Sequence, residues 1–200
     1  MRLIVATKNK DKFKEIKDIL KGLRLQILSL NDLNTNIKIK EDGNTFFENA
    51  LKKAVAVSKI FKKDLVVADD SGLEVEFLGN KPGVFSKRYA GENASYYENN
   101  LKLLKELEGV KRKKRKAVFK CVVVLVKDQK LIKKFEGQLK GFISEKMMGK
   151  KGFGYDPIFY LPRYKKTVAQ IPLREKNKIS HRAKAFLALK KYLAKFLNNR

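Results

Sequence analysis

The stretch Leu65-Val66-Val67-Ala68-Asp69-Asp70-Ser71-Gly72 decides the fold of this 200-residue chain. Four consecutive apolar residues predict a strand buried on both faces, because a half-exposed strand alternates apolar and polar residues. Two carboxylates end this strand, and buried carboxylates are costly unless they are paired or bound to a metal. Because neighbouring side chains of a strand point to opposite faces, Asp69 and Asp70 need not serve the same site. The alternative interpretation is a turn-forming Asp-Asp-Ser-Gly loop.

Strand and helix patterns alternate around this stretch and predict an α/β fold with a mixed central sheet and flanking helices. A long hairpin is expected near residues 127–129, which separate two apolar runs. The predicted strands are residues 3–6, 25–28, 65–68, 73–77, 117–126 and 131–143, and the predicted helices are residues 10–21, 93–107, a helix that Thr45 caps, and a helix from Ser180 to about Asn198.

The composition suits one folded domain over residues 1–200, because hydrophobic residues make up 44% of the chain. No apolar run approaches the roughly 20 residues of a membrane helix. The apolar start of the chain is too short for a signal peptide, so a cytosolic protein is expected. With only one cysteine, Cys121, no intrachain disulfide is possible, and we interpret it as a small buried hydrophobe. One cysteine and one histidine also exclude a zinc site of the usual kind.

The net charge of +26 raises the hypothesis of a nucleic-acid partner. The densest basic run, residues 111–116, lies between a predicted helix and a predicted strand, so we interpret it as a solvated connector. It contains no aromatic residue that could stack on bases. Binding to nucleic acid is therefore not expected.

The segment Thr7-Lys8-Asn9-Lys10-Asp11-Lys12 follows the first predicted strand and opens the first helix. Ligands of open α/β sheets bind at the carboxyl ends of strands, and a helix N-terminus favours phosphate. Thr7 and Asn9 can donate hydrogen bonds, and three lysines add positive charge. The segment predicts a phosphate-binding loop, although it lacks the glycines of a P-loop. The alternative is that Asn9 is only a helix cap.

An acidic loop precedes the second helix. Glu41-Asp42-Gly43 leads to Thr45, which can cap the helix with Glu48 as its reciprocal partner. Asn49 and Lys53 lie four residues apart on one helix face. The loop could supply a carboxylate to a metal, and ordinary capping is the alternative.

Two later motifs could contact a base. Gly152-Phe153-Gly154-Tyr155-Asp156-Pro157 combines glycines, which permit close approach, with aromatic rings that can stack. The alternative is a glycine turn with two core aromatics. Lys176-Asn177-Lys178-Ile179-Ser180-His181-Arg182 places two cationic residues in a first helical turn, where the helix dipole disfavours them. That conflict suggests contact with a base or phosphate, and a purely structural histidine is the alternative.

These residues resemble the inosine/xanthosine triphosphate pyrophosphatase family. Six motifs carry the resemblance, in the family's order and over nearly the whole chain: Thr7-x-Asn9-x-x-Lys12, Thr45-Phe46-x-Glu48-Asn49-Ala50, Asp69-Asp70-Ser71-Gly72-Leu73, Pro82-Gly83 with Ser86-x-Arg88-Tyr89, Gly152-Phe153-Gly154-Tyr155-Asp156-Pro157, and Ser180-His181-Arg182. The resemblance implies an elongated fold of two lobes with a central cleft, a homodimer, and Mg²⁺ as cofactor.

The resemblance also implies roles for individual residues. Asp70 is the expected catalytic base and, with Glu41, the expected metal ligand. The expected contacts to the triphosphate and the base of the substrate come from Thr7, Lys8, Asn9, Lys10, Asp11, Lys12, Lys53, Ser71, Phe153, Gly154, Tyr155, Asp156, Lys176, His181 and Arg182.

The expected reaction is hydrolysis of ITP, dITP or XTP to monophosphate and pyrophosphate. Two alternatives remain at this point: a pyrophosphatase for other modified nucleotides on a related fold, and a basic nucleic-acid-binding protein. The choice of purine is expected to depend on donors to its 6-oxo group, with His181 and Arg182 as candidates.

Overall fold

A computed structural model describes residues 1–33, 35, 37 and 39–198. In this part of the chain the strands are β1 (Arg2–Val5), β2 (Gln26–Ser29), β3 (Leu65–Val75), β4 (Lys81–Gly83), β5 (Lys116–Lys127), β6 (Lys130–Ile143), β7 (Phe159–Leu161) and β8 (Lys166–Thr167). The α-helices are α1 (Lys10–Leu20), α2 (Phe46–Ile60), α3 (Tyr96–Glu106), α4 (Leu173–Ile179) and α5 (His181–Asn198).

The strands form one mixed sheet, which confirms the predicted fold class. Its order is β2-β1-β3-β5-β6-β7-β8, and β4 pairs with β3. Strand β1 pairs in parallel with β2 and β3, whereas β6, β7 and β8 pair antiparallel. The predicted hairpin joins β5 to β6 through Asp128 and Gln129, both with positive φ, as primed hairpin turns require.

Two local predictions were wrong, and one helix was not predicted. Strand β3 runs without a break to Val75, so the sequence Asp-Asp-Ser-Gly at 69–72 lies inside a strand and is neither its end nor a turn. The predicted strand 73–77 is therefore the last part of β3, followed by a 3-10 helix at Glu76–Leu78. Helix α4 was not predicted, because its seven residues are too few to show a helical period.

The chain divides into two compact units. The first unit comprises Met1–Asp70, Cys121–Gly137 and Arg182–Arg200, and the second comprises Ser71–Lys120 and Gln138–His181.

The first unit has an apolar layer on each face of its strands. Alternate residues such as Val5 and Val67 pack with α1 and α5, whereas Ile4 and Val66 pack with α2. Cys121 is buried in the layer of α1 and α5, as its interpretation as a small hydrophobe predicted. The two faces of β3 therefore meet different helices, which decides what the carboxylates at its centre can contact.

The second unit packs α3 against strands β5, β6 and β7. The basic run 111–116 was expected to be a solvated connector, and its 3-10 turn Arg112–Lys114 has no buried residue. Arg115 differs, because only 4% of it is exposed and its guanidinium donates to the carbonyls of Leu107, Val110 and Ser144. This arginine closes the end of α3 and is not part of a basic surface.

No helix among the described residues is long and apolar enough to cross a membrane.

Candidate active site

The carboxylates of Asp69 and Asp70 reach opposite faces of β3 within the first unit. Asp69 Oδ2 lies 3.2 Å from Lys12 Nζ and 3.6 Å from Arg182 Nε, so it faces α1 and α5. Asp70 faces α2, where Asn49 Nδ2 donates to its Oδ2 at 3.2 Å. The prediction that the two carboxylates need not serve one site is confirmed, because strand geometry separates them.

Arg182 is held by a carboxylate that the sequence analysis missed. Its Nη1 donates to Glu15 Oε2 at 2.7 Å, and both side chains are at most 4% exposed. Burial alone would lower the pKa of Arg182, but Glu15 and Asp69 outweigh it and raise that pKa. The sequence carried one indication of this buried carboxylate: Glu15 lies within the apolar stripe of α1, four residues before Ile19.

Asp70 is buried beside a lysine. Lys53 Nζ lies 3.5 Å from Asp70 Oδ1, and 8% of each residue or less is exposed. Burial raises the pKa of Asp70 above its ordinary value, and the nearby Lys53 offsets this only in part. A buried carboxylate with a raised pKa is the usual form of a general base.

The Glu41 carboxylate contacts the same lysine, Lys53. Lys53 Nζ donates to Glu41 Oε2 at 2.9 Å, so one ammonium group holds both carboxylates that were predicted as metal ligands. Burial by itself would lower the pKa of Lys53, yet the two carboxylates raise it, so the lysine stays charged. The helix spacing of Asn49 and Lys53 brings both side chains to Asp70.

The carboxylates of Glu41 and Asp70 fit Mg²⁺. They already converge on one cation, and Mg²⁺ binds hard oxygens, usually from one or two carboxylates together with substrate phosphates. In the described part of the chain no cluster of three or more Asp, Glu, His or Cys residues could hold a metal by itself. Glu41 and Asp70 are the residues that would hold Mg²⁺ here.

The neighbouring acidic residues have local partners. Asp42 pairs with Lys52 at 2.6 Å and Lys40 at 3.2 Å, and the Lys52 contact does most to lower its pKa to about 2. Thr45 caps α2 by accepting from the Glu48 N–H. The Glu48 carboxylate instead accepts from the Asn44 N–H, so the predicted reciprocal cap reaches one residue further back.

The segment from Thr7 to Lys12 lies between β1 and α1, as predicted. Asn9 is the N-cap of α1, and its Oδ1 accepts from the Lys12 N–H at 3.0 Å. Thr7 Oγ1 accepts from the Asn9 N–H at 3.2 Å. The side chains of Lys8, Lys10 and Asp11 are exposed. The N-terminus of α1 is therefore capped, and the lysines around it give it a net positive charge.

In the second unit, the glycine-rich loop is organised by Asp156. Its Oδ2 accepts from the Phe153 N–H at 2.9 Å and from Lys176 Nζ at 2.5 Å. The Lys176 ammonium also lies 4.7 Å from the Phe153 ring centroid. At Gly152, with φ +77°, an added Cβ would lie 2.0 Å from Asp156 Oδ2. The close approach that this glycine permits is thus to the protein's own carboxylate.

Two further contacts fix the same loop. The Tyr155 hydroxyl donates to the Ser86 carbonyl at 2.8 Å, and burial is the main cause that raises the pKa of this tyrosine. Asn100 Nδ2 donates to the Gly154 carbonyl at 2.9 Å. Asn100 was not predicted, and no signal near it in sequence indicates this partner, 54 residues away.

His181 and Ser71 complete the predicted set. The His181 ring stacks on Phe119, with centroids 4.7 Å apart and an interplanar angle of 13°. Ser71 is half-buried and follows Asp70 directly in β3. Ser180 joins α4 to α5, and its N–H donates to the Lys176 carbonyl. The first unit thus holds Asp69, Asp70 and the cations that contact them, and the second holds the aromatic rings together with the Asp156–Lys176 pair.

The fold is that of several solved structures. A HAM1 protein from Coxiella burnetii matches with a TM-score of 0.87 and 37% identity, over 98% of this chain and 99% of that one. The Ham1 protein of Staphylococcus aureus matches with a TM-score of 0.87 and 38% identity, over 98% and 100%.

The chain belongs to the Ham1 family, whose model matches residues 3–192. A dITP/XTP pyrophosphatase of Caldanaerobacter subterraneus subsp. tengcongensis is 51% identical over 98% of both chains. A dITP/XTP pyrophosphatase of Clostridium perfringens is 48% identical over 94% of this chain and 95% of its own length.

Proposed function

We propose that this protein is a nucleoside-triphosphate pyrophosphatase that hydrolyses dITP, ITP and XTP to the monophosphate and pyrophosphate. The observation that carries the proposal is the buried carboxylate of Asp70 beside Lys53, with Glu41 on the same ammonium group. Relatives named dITP/XTP pyrophosphatase, at 51% and 48% identity over nearly the full chain, support the substrate class.

The groups proposed for the triphosphate lie at the N-terminus of α1 and on α2. The N-terminus of α1, with Thr7, Asn9 and the lysines of that segment, binds phosphate oxygens through backbone N–H groups and positive charge. Lys12 is already anchored on Asp69, so its ammonium is presented without further loss of side-chain entropy. Lys53 adds charge beside Asp70.

Glu41 and Asp70 would hold Mg²⁺, which when bound neutralises phosphate charge and polarises the phosphoryl oxygens. Asp70 takes the proton of the attacking water. The water oxygen forms a bond to the α-phosphorus, and the bond from that phosphorus to the α–β bridging oxygen breaks, releasing pyrophosphate. The raised pKa of Asp70 suits it to accept a proton near neutral pH.

The groups proposed for the base lie in the glycine-rich loop and at the start of α5. Phe153 stacks on the purine, while Asp156 and Lys176 hold its loop in place and Tyr155 anchors that loop on Ser86. His181 and Arg182 donate to the 6-oxo group of hypoxanthine or xanthine. Adenine carries an amino group there, so it leaves buried donors unpaired, which is costly.

The decisive experiment measures pyrophosphate release with Mg²⁺ from dITP, ITP, XTP, dATP, dGTP and dCTP. We expect kcat/KM for the first three to exceed that for dATP by about 100-fold or more. The Asp70→Asn variant, purified in parallel, controls for contaminating phosphatases. Equal turnover of all six nucleotides, or wild-type turnover by Asp70→Asn, would contradict the proposal.

Two further predictions come from the family resemblance: the protein is a homodimer and it acts in the cytosol. Light scattering at several protein concentrations tests the first. A constant monomer mass would contradict it.

A further inference from the structure

The side-chain amide of Asn49 is hydrogen-bonded at both ends. Its Oδ1 accepts from the Gly43 N–H at 2.8 Å, and its Nδ2 donates to the Gly43 carbonyl at 3.4 Å and to Asp70 Oδ2 at 3.2 Å. Only 2% of the residue is exposed. Exchanging the amide oxygen and nitrogen would place like groups against each other in all three contacts, so the orientation of the amide is fixed.

Helix capping does not account for this side chain. Thr45 caps α2 through the Glu48 N–H, and the Asn49 N–H already donates to the Thr45 carbonyl. Asparagine is a poorer helix former than alanine, which occupies the next position and the buried position 54. Helix formation and capping therefore do not explain why a buried asparagine stands at position 49.

A second observation comes from Gly43. An added Cβ at this position would lie 2.8 Å from Asn49 Oδ1 and 2.8 Å from Glu48 Cβ, distances that require something to move. The loop of Glu41 thus rests against Asn49 with no room for a side chain. The amide fastens this loop with two hydrogen bonds and orients Asp70 with the third.

We propose that Asn49 is a positioning residue that sets the separation and orientation of Glu41 and Asp70. This inference rests on the proposed function of those two carboxylates. Hydrogen-bond partners of metal ligands commonly change metal affinity or activity 10- to 100-fold when they are removed. Asn49 acts through Asp70 and the acidic loop.

The test compares Asn49→Ala and Gly43→Ala with Asn93→Ala, a control at an exposed asparagine of the second unit. The first removes the amide, and the second displaces the loop while keeping the amide. For both we expect kcat for dITP to fall about 30-fold, with KM within about 3-fold of wild type, because the substrate contacts remain. We expect Asn93→Ala to match wild type.

A second readout is independent of turnover. Mn²⁺ binding to the nucleotide-free protein, followed by electron paramagnetic resonance, should weaken about 10-fold in both variants and not in Asn93→Ala. Thermal melting of each variant shows whether it is folded.

The outcomes separate this inference from the proposed function. A wild-type protein that hydrolyses no purine triphosphate contradicts the function, and Mn²⁺ binding then decides the role of Asn49. An active wild type whose two variants keep kcat and Mn²⁺ affinity overturns only the role of Asn49. If Asn49→Ala does not fold, the kcat and Mn²⁺ affinity of Gly43→Ala decide the role of Asn49. If neither variant folds, Asn49 is a folding residue and the inference is overturned.

Discussion

Asp69 and Asp70 are neighbours in β3, yet their carboxylates contact different helices: Asp69 meets Lys12 of α1, and Asp70 meets Asn49 and Lys53 of α2. Successive side chains of a strand point to opposite faces, so the two carboxylates lie in different surroundings. Asp69 belongs to a network of charged side chains that stabilises the first unit. Asp70 is the group that we propose as the general base.

Asp70→Asn should abolish turnover and leave the fold intact. We expect kcat for dITP to fall by about 1,000-fold or more, since the amide cannot accept the proton of water. The matched variant Asp69→Asn should retain more activity, because its carboxylate is committed to Lys12 and Arg182. Pyrophosphate release by both variants checks this. Equal losses of activity in the two variants would contradict the proposed difference between the roles of Asp69 and Asp70.

The Asp70→Asn variant should also be more stable than wild type without metal. The pKa of Asp70 is raised in the folded state, mainly by burial, so its ionised form is disfavoured there. When the pH rises above the ordinary carboxyl pKa, the unfolded chain loses this proton first, and the wild type loses stability until the folded pKa is passed.

Chemical denaturation in EDTA between pH 4 and 8 measures this difference. The stability advantage of Asp70→Asn should be small at the acidic end, grow with pH and then level off. An advantage that shrinks as the pH rises would contradict a raised pKa.

Replacing Arg182 should cost stability. In Arg182→Met the buried Glu15 loses the partner 2.7 Å away, and an uncompensated buried charge costs about 3 to 5 kcal/mol. The double variant Glu15→Leu/Arg182→Met removes both charges and should recover most of the loss. Urea denaturation of the three proteins measures this. A double variant no more stable than Arg182→Met would show that the pair is not the cause.

Gly152→Ala should disturb the loop of Phe153 more than its backbone angle alone explains. Gly79 has a similar positive φ, +62° against +77°, but an added Cβ there meets nothing within 4 Å. We expect Gly79→Ala to cost about 1 to 2 kcal/mol for the left-handed backbone. Gly152→Ala should cost more and raise KM for dITP, because its Cβ displaces the Asp156 carboxylate. Equal stability losses and an unchanged KM would contradict this.

Where the sequence analysis missed a contact between side chains or with the backbone, the cause was distance along the chain. Helix, strand and hairpin patterns are local, so β1, α1, the start of α2 and the β5–β6 hairpin were predicted to within a few residues. Glu15 was overlooked because its partner Arg182 is 167 residues away. The partner of Asn100, the Gly154 carbonyl, could not be inferred either, since backbone groups carry no sequence signal.

The amino-acid sequence by itself determined the fold class and the kinds of groups in the candidate site. Its apolar runs specify buried strands, its helical stripes specify which faces pack, and its motifs specify carboxylates, lysines and aromatic rings. Tertiary structure alone decided which carboxylate meets which cation. That choice depends on the uninterrupted extension of β3 through Asp69 and Asp70 and on the helices that cover each face, and both follow from packing between segments far apart in the chain.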